Sequence, residues 1–230
     1  MFKARSLLAT ITLSTAFIVS GCDVKVKPIE GGKEIAQELE RHKIKRLTQQ
    51  DIINTAQKYG DSIVVTAERL HVQRLTEHLA QGGMAAALPY CQPESFEEVE
   101  TQQHKFGAIS RRFSERPRNP QNQAKGATAQ ALARYSKGQE QQATVEALSP
   151  DEIRYTAPIY LRDETCLSCH GTVGQNLSEA DDSLIKQKYP QDQAVGYKAG
   201  DLMGVWELTF DKLDLVAFLN DQPKKSRRPR

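Results

Sequence analysis

Beyond Val19 this chain of 230 residues has no long apolar run. A second membrane-spanning helix, which needs about 20 apolar residues, is therefore excluded. Charge of one sign is also missing, since 31 Lys and Arg face 29 Asp and Glu. The body of the chain offers no basic stripe of the kind nucleic acid requires, so nucleic-acid binding is not expected. No internal repeat is visible, and no segment reads as a kinase, cyclase or DNA-binding unit. Cysteine is scarce: there are four, of which only two are closely spaced. The second paired element that accompanies a single C-x-x-C in most zinc sites is absent.

What is present begins at the N-terminus. Lys3 and Arg5 precede an apolar run, Leu7 to Val19, that is short for a bilayer span and reads as a signal peptide over residues 1–21. Val19-Ser20-Gly21-Cys22 resembles the lipobox of bacterial lipoproteins, in which the cysteine becomes the lipidated first residue of the mature chain. The plainer reading is an ordinary signal peptide with an incidental Cys22. Either way the chain is expected to be exported. Asp23 resembles the inner-membrane retention signal of Gram-negative lipoproteins, which would put the protein on the periplasmic side of that membrane. Burial of acyl chains contributes roughly 0.8 kcal/mol per methylene, so two or three chains make a stable anchor. Asp23 to Lys33, with Pro28, Gly31 and Gly32, reads as a flexible tether.

Removal of residues 1–21 takes away Lys3 and Arg5, and basic residues then equal the 29 acidic ones. Five of the basic residues sit in Lys224-Lys225-Ser226-Arg227-Arg228-Pro229-Arg230, so the remainder is net acidic by five. Residues 212–230 are expected to form a solvated, disordered basic tail.

The residues that carry chemistry are Cys166-Leu167-Ser168-Cys169-His170. C-x-x-C-H reads as a covalent attachment site for c-type haem. Each thiol can add to one vinyl group, and the adjacent histidine can give an axial nitrogen to iron. Gly171 lets the chain turn away without a side-chain clash. A C-x-x-C pair can also be a redox disulfide or half of a zinc site. Export favours haem, because c-type haem is attached outside the cytoplasm. With Cys22 assigned to lipid and Cys166 and Cys169 to haem, Cys91 is left over, and a spare thiol in an exported protein needs a reason.

Periodicity gives the surrounding elements. Thr48-Gln49-Gln50-Asp51 resembles a capping box, followed by Ile52, Ile53, Ala56, Tyr59, Ile63, Val64, Ala67 and Leu70 at helical steps. The stripe continues through Leu75 and Leu79 to Gly82-Gly83, and a shorter helical piece, Met84 to Leu88, stops at Pro89. His104 to Phe113 suggests a strand, Arg116 to Gln123 a loop, and Ala127 to Tyr135 a short helix. Ala143 to Leu148 and Ile153 to Leu161 read as a hairpin around Ser149-Pro150-Asp151. Ser178 to Tyr189 is helical with an acidic first turn, and Leu202 to Phe210 is a strand. The class is α+β.

Taken with Cys91, the loop Arg118-Asn119-Pro120-Gln121-Asn122, and Tyr189-Pro190 followed by Gly196-Tyr197-Lys198-Ala199-Gly200-Asp201, the motif resembles a known family. It is the bacterial c-type haem domain family with a PAS-like fold, mostly described as a domain of unknown function. The resemblance spans about residues 50 to 211. It implies a PAS-like antiparallel sheet with helices over residues 46–211, preceded by a tether and the start of the helical region at 22–45, and one covalent haem c. It further implies that Cys166 and Cys169 are the thioether residues, His170 the proximal ligand and Cys91 the distal ligand. Other distal candidates are His42, His71, His78, His104, Met84 and Met203. His71 and His78 sit among Arg, Gln and Glu and read as solvated, while Met203 beside Trp206 reads as core. Trp206 and Tyr90 are candidate haem walls. Arg118 can pair with a haem propionate as a bidentate donor, or be a plain loop arginine.

Two functions follow from different classes. One is a membrane-tethered monohaem cytochrome, an electron carrier or a redox or gas sensor rather than a catalyst, working with a separate redox or signalling partner. The other is a non-haem exported module that uses Cys91, Cys166 and Cys169 for a zinc site or for thiol–disulfide chemistry.

Overall fold

The computed structural model describes residues 30–41, 46–162 and 164–222. The signal peptide, Cys22, His42 and the basic run after residue 222 lie outside the described residues. Among the described residues no helix is long and apolar enough to cross a membrane.

A short helix α1 (Gly32–Arg41) precedes the dominant element, α2 (Gln49–Ala87). Thr48 caps α2 as its sequence suggests: its hydroxyl accepts from Asp51 N at 3.2 Å, and its own N–H donates to the Asp51 carboxylate at 2.8 Å. The helix breaks at Gly82–Gly83, where Gly83 takes φ +63°. Two single 3₁₀ turns, Leu88–Tyr90 and Pro93–Ser95, then lead into α3 (Glu97–Phe106).

Four strands follow: β1 (Ala108–Phe113), β2 (Thr144–Ala147), β3 (Glu152–Tyr160) and β4 (Leu202–Asp211). They form one antiparallel sheet in the order β1-β4-β3-β2. Helix α4 (Gly126–Ser136) lies between β1 and β2 in the chain, and α5 (Glu164–His170) and α6 (Glu179–Lys188) lie between β3 and β4. The last element among the described residues is α7 (Lys212–Asp221).

The core forms where the apolar stripe of α2 meets one face of the sheet. Ile52, Ala56, Ile63, Val64, Ala67 and Leu70 pack against Ile153, Tyr155, Trp206, Leu208 and Phe210, with Val99, Phe106 and Leu215 closing the edge. On the other face α4 brings Leu132 and Tyr135 against Val205, and the Tyr135 hydroxyl donates to Thr156 O at 2.9 Å. The β2 pairing ends at Thr156, so Pro158 lies beyond it and leaves no ladder bond to β2 unmade. A register shift at Ile159/Tyr160 then turns the end of β3 toward α5.

Two expectations need correction. His104 to Phe113 is not one strand: the acidic residues Glu97, Glu98 and Glu100 start α3, His104 and Lys105 end it, and Gly107 in the left-handed conformation (φ 59°) separates it from β1. Nor is residue 212 onward a disordered tail from its start. Asp211 ends β4 and caps α7, accepting from Asp214 N at 3.0 Å, and Leu215 is buried while Val216 and Phe218 pack on the core.

Gly60 shows how closely α2 approaches the sheet. A Cβ there would lie 2.3 Å from the ring of fully buried Tyr155. Helix propensity alone makes Gly60→Ala stabilising by about 1 kcal/mol, whereas overpacking costs about 1–3 kcal/mol. Packing is expected to win, lowering the melting temperature by several degrees. A rise on thermal denaturation would contradict this contact.

Candidate haem-binding cleft

One end of the sheet opens into a cleft with a cavity of about 210 Å³. Its walls come from segments far apart in the chain. The second half of α2 gives Glu68, His71, Val72 and Leu75, the turn after α2 gives Cys91, and the strand ends give Phe113, Ile159, Gly204 and Trp206. The Arg116–Asn119 loop, α5 and the 189–201 loop complete it. Cys166, Cys169, His170, Cys91 and Arg118, distant in sequence, all line this one cavity.

Helix α5 holds the motif. Gly171 N closes its last turn onto Leu167 O at 2.8 Å, and a Cβ at Gly171 would sit 2.5 Å from Asn176 Cβ, so the turn admits no side chain there. The 189–201 loop straps over this turn: Gly196 N donates to Gly171 O at 2.8 Å, and Tyr197 N to His170 O at 3.0 Å. Cys166 packs with Leu161, Leu167, Ala194, Tyr197 and Met203. Cys169 packs with Met84, Leu88, Leu177 and Ile185, and Cys91 borders the same cluster.

His170 Nδ1 is 2.7 Å from Ala194 O. A carbonyl can only accept, so the proton resides on Nδ1 and Nε2 keeps its lone pair. This is the tautomer and anchoring that a metal-ligating imidazole needs. Burial, and secondarily the Arg118 charge, pushes the His170 pKa down to about 3 and keeps the ring neutral. Burial also pushes Cys169 up to about 11 and raises Cys91, the latter opposed by Arg118 and Arg112. Burial thus favours the thiol form of both groups.

Arg118 is not a plain loop arginine. Its Nε donates to Asp192 Oδ2 at 3.1 Å, and Nη2 donates to Cys169 O at 2.6 Å, capping the last turn of α5. The Arg118 side chain is 10% exposed and that of Asp192 0%. The other Asp192 oxygen accepts from Ala194 N at 2.8 Å, and Ala194 O is the acceptor for His170. Asp192 thus positions the imidazole through a single residue, Ala194. Sequence reasoning missed it, and an Asp two residues before a loop Ala carries no motif. Arg118 Nη1 is buried without a partner, a donor left over for an acidic group in the cleft.

The other candidates separate cleanly. His104 is exposed on α3, and Met84 lies 3.6 Å from the Cys169 sulfur in the apolar cluster. His78 stacks on Tyr90 with ring centroids 4.0 Å apart, and neither lines the cavity, so of the two proposed aromatic walls only Trp206 stands there. Met203 packs as core and also lines the cavity. His71 is not solvated: Nε2 is buried with no hydrogen-bond partner, a state that costs about 1–3 kcal/mol. Burial, then the Arg112 charge, pushes its pKa down to about 3.

The residues fit a haem. The apolar walls, a fixed imidazole, the two motif cysteines and the unsatisfied His71 Nε2 and Arg118 Nη1 converge on one space. They do not fit a preassembled zinc site, because among the described residues no three His, Cys, Asp or Glu side chains are arranged to hold a metal ion. Cys91, Cys166 and Cys169 form no disulfide among themselves.

An α+β domain with a long helix on a four-stranded antiparallel sheet, and a Cys- and His-lined cleft at the sheet end, defines the class. Residues 45–210 match the model of the Tll0287-like family, and the chain belongs to that family. It is similar to the solved cyanobacterial haem protein Tll0287, at 22% identity and TM-score 0.48, over 64% of this chain and 92% of that one. No curated protein matches it.

Removing Asp192 would strand the Arg118 charge in a buried site, which costs about 3–5 kcal/mol. Asp192→Ala is therefore expected to lower the melting temperature by roughly 10 °C, at about 2–4 °C per kcal/mol for a chain of this size. Arg118→Met with Asp192→Leu should recover most of that loss. A single Asp192→Ala shift below about 1 kcal/mol would show that the pair does not hold the cleft.

Proposed function

We propose that this protein is an exported monohaem c-type protein with a PAS-like fold that carries electrons between partner proteins. The observation that carries the reading is His170: its Nδ1 is tied to Ala194 O while Cys166 and Cys169 line the same cavity. Membership of the Tll0287-like family supports it. Cys166 and Cys169 would hold the group by thioether bonds, and His170 Nε2 would give its iron a nitrogen. Cys91 would give a sulfur, and Arg118 Nη1 would donate to a propionate. Haem would supply one-electron redox chemistry at iron. Trp206, Leu75 and Ile159 would shield the group from water, and His170 and Cys91 together would hold its iron as a carrier of electrons.

A redox or gas sensor is the second reading. It is favoured by the position of Cys91 on a short turn, Cys91 N reaching Leu88 O at 3.4 Å, where the sulfur can leave without disturbing α2. Its output passes to a separate partner.

Covalent attachment is tested by denaturing electrophoresis with a haem stain after expression with c-haem maturation machinery. The wild-type band should stain, and Cys166→Ala with Cys169→Ala should not. Haem stripped from the wild type by acid–acetone would sink the assignment.

We place the protein on the periplasmic face of the inner membrane, anchored by lipid on Cys22. Membrane fractionation should find the wild type with the membrane, and Cys22→Ser should change its maturation, leaving a soluble form or an uncleaved precursor. A mature wild-type protein recovered wholly in the periplasm would reject the anchor.

A further inference from the structure

His71 lines the cleft with a buried Nε2 that has no hydrogen-bond partner, and the iron ligands proposed above leave it without a role. We propose that His71 is a second distal donor, and that it replaces Cys91 on the iron when the iron is reduced. This rests on the c-type haem reading above.

Three observations carry it. His71 Nε2 is buried, has no hydrogen-bond partner and belongs to a side chain lining the cavity. Buried polar atoms are nearly always bonded, so a nitrogen facing a cavity without a partner calls for one in that space. Nearby, Arg112 is directed away by other bonds: its Nε donates to Glu94 at 2.9 Å, and its Nη2 donates to the Cys91 carbonyl. That second bond also holds Cys91 beside the same arginine, and the Arg112 charge acts on both Cys91 and His71. Both donors line the one cavity, and Arg112 bonds the backbone of the second. Third, their supports differ. His71 stands in the unbroken part of α2, backed by buried Ala67, Leu70 and Leu75, whereas Cys91 sits beyond the Gly82–Gly83 break on a turn between two 3₁₀ segments. The histidine is fixed and the cysteine can move.

The chemistry gives the order. A thiolate is an anionic donor and favours ferric iron, while a neutral imidazole suits either state. One electron from a low-potential donor protein reduces ferric to ferrous iron. The iron–sulfur bond breaks, its electron pair stays on Cys91 Sγ, and the sulfur takes a proton from solvent. The Nε2 lone pair of His71 then forms the new iron–nitrogen bond. The position stays filled in both states, so the cleft would admit carbon monoxide only when His71 lets go.

The test uses the purified, lipid-anchored holoprotein, with optical and resonance Raman spectra before and after dithionite, and with carbon monoxide as the probe. Wild type should show thiolate charge-transfer bands when ferric and a six-coordinate, low-spin spectrum when ferrous. His71→Ala should keep the ferric thiolate spectrum but give five-coordinate, high-spin ferrous iron that binds carbon monoxide at least tenfold faster. Free imidazole should restore the six-coordinate ferrous spectrum, which a merely structural role for His71 would not produce. His71→Leu, which fills the same space, should match the alanine variant and covers the case in which alanine loosens α2. Cys91→Ala should give a nitrogen-ligated spectrum in both states. The exchange is overturned if both His71 variants keep the wild-type ferrous spectrum and carbon monoxide rate. It is also overturned if His71→Ala changes the ferric spectrum while Cys91→Ala does not, since His71 would then be a permanent ligand. A wild type without covalent haem would instead overturn the reading beneath it, and that is read before any variant is made.

Discussion

The cleft depends on one buried ion pair. Arg118 and Asp192 come from two different loops, and both side chains are almost fully removed from solvent. Neither charge could be buried alone at tolerable cost. Together they do three things: the arginine caps the α5 carbonyl at Cys169, the aspartate fixes Ala194 N, and Ala194 O then orients His170. The motif supplies the reactive atoms, and this pair sets where they point. The 189–201 loop, which otherwise has no regular structure, is ordered by these bonds and by the bond that Arg116 donates to Val195 O.

The sheet explains why the cleft lies where it does. β3 and β4 pair along most of their length, and their register slips only at Ile159/Tyr160, next to the motif helix. Beyond the slip the chain leaves the sheet at Leu161, which exchanges backbone bonds with Asp201 and Gly200 at 3.0 and 2.6 Å. The same few residues end the core and begin the cleft. α2 serves both: its first half packs on the sheet through Ile52, Ala56 and Ile63, and farther along it lines the cavity with Glu68, His71, Val72 and Leu75.

Much of this was legible in the sequence, for physical reasons that can be named. The apolar period of α2, the Thr48 capping box and the Gly82–Gly83 break are local signals, and each lies where the pattern puts it. The β2–β3 hairpin was readable from its Ser-Pro-Asp turn for the same reason. α3 was hidden because its apolar residues Val99 and Phe106 are too few to show a stripe, so only its charge order and Gly107 mark it. α7 was masked by the basic run that follows, although Asp211-Lys212-Leu213-Asp214 carries a capping pattern. The setting of His71 is hidden because its sequence neighbours are polar, whereas it shares a cavity with Arg112, Trp206 and the motif helix, which no local window contains. Asp192 illustrates the same limit, since its importance arises from Arg118, 74 residues away.

The central claim is that this cleft holds one haem, bound covalently beside His170. The most direct measurement is tandem mass spectrometry of the holoprotein after denaturation and proteolysis. The account predicts that the peptide containing Cys166 to His170 carries the mass of one haem distributed over its two cysteines. Recovery of that peptide without haem, from a protein that was coloured before denaturation, would contradict it.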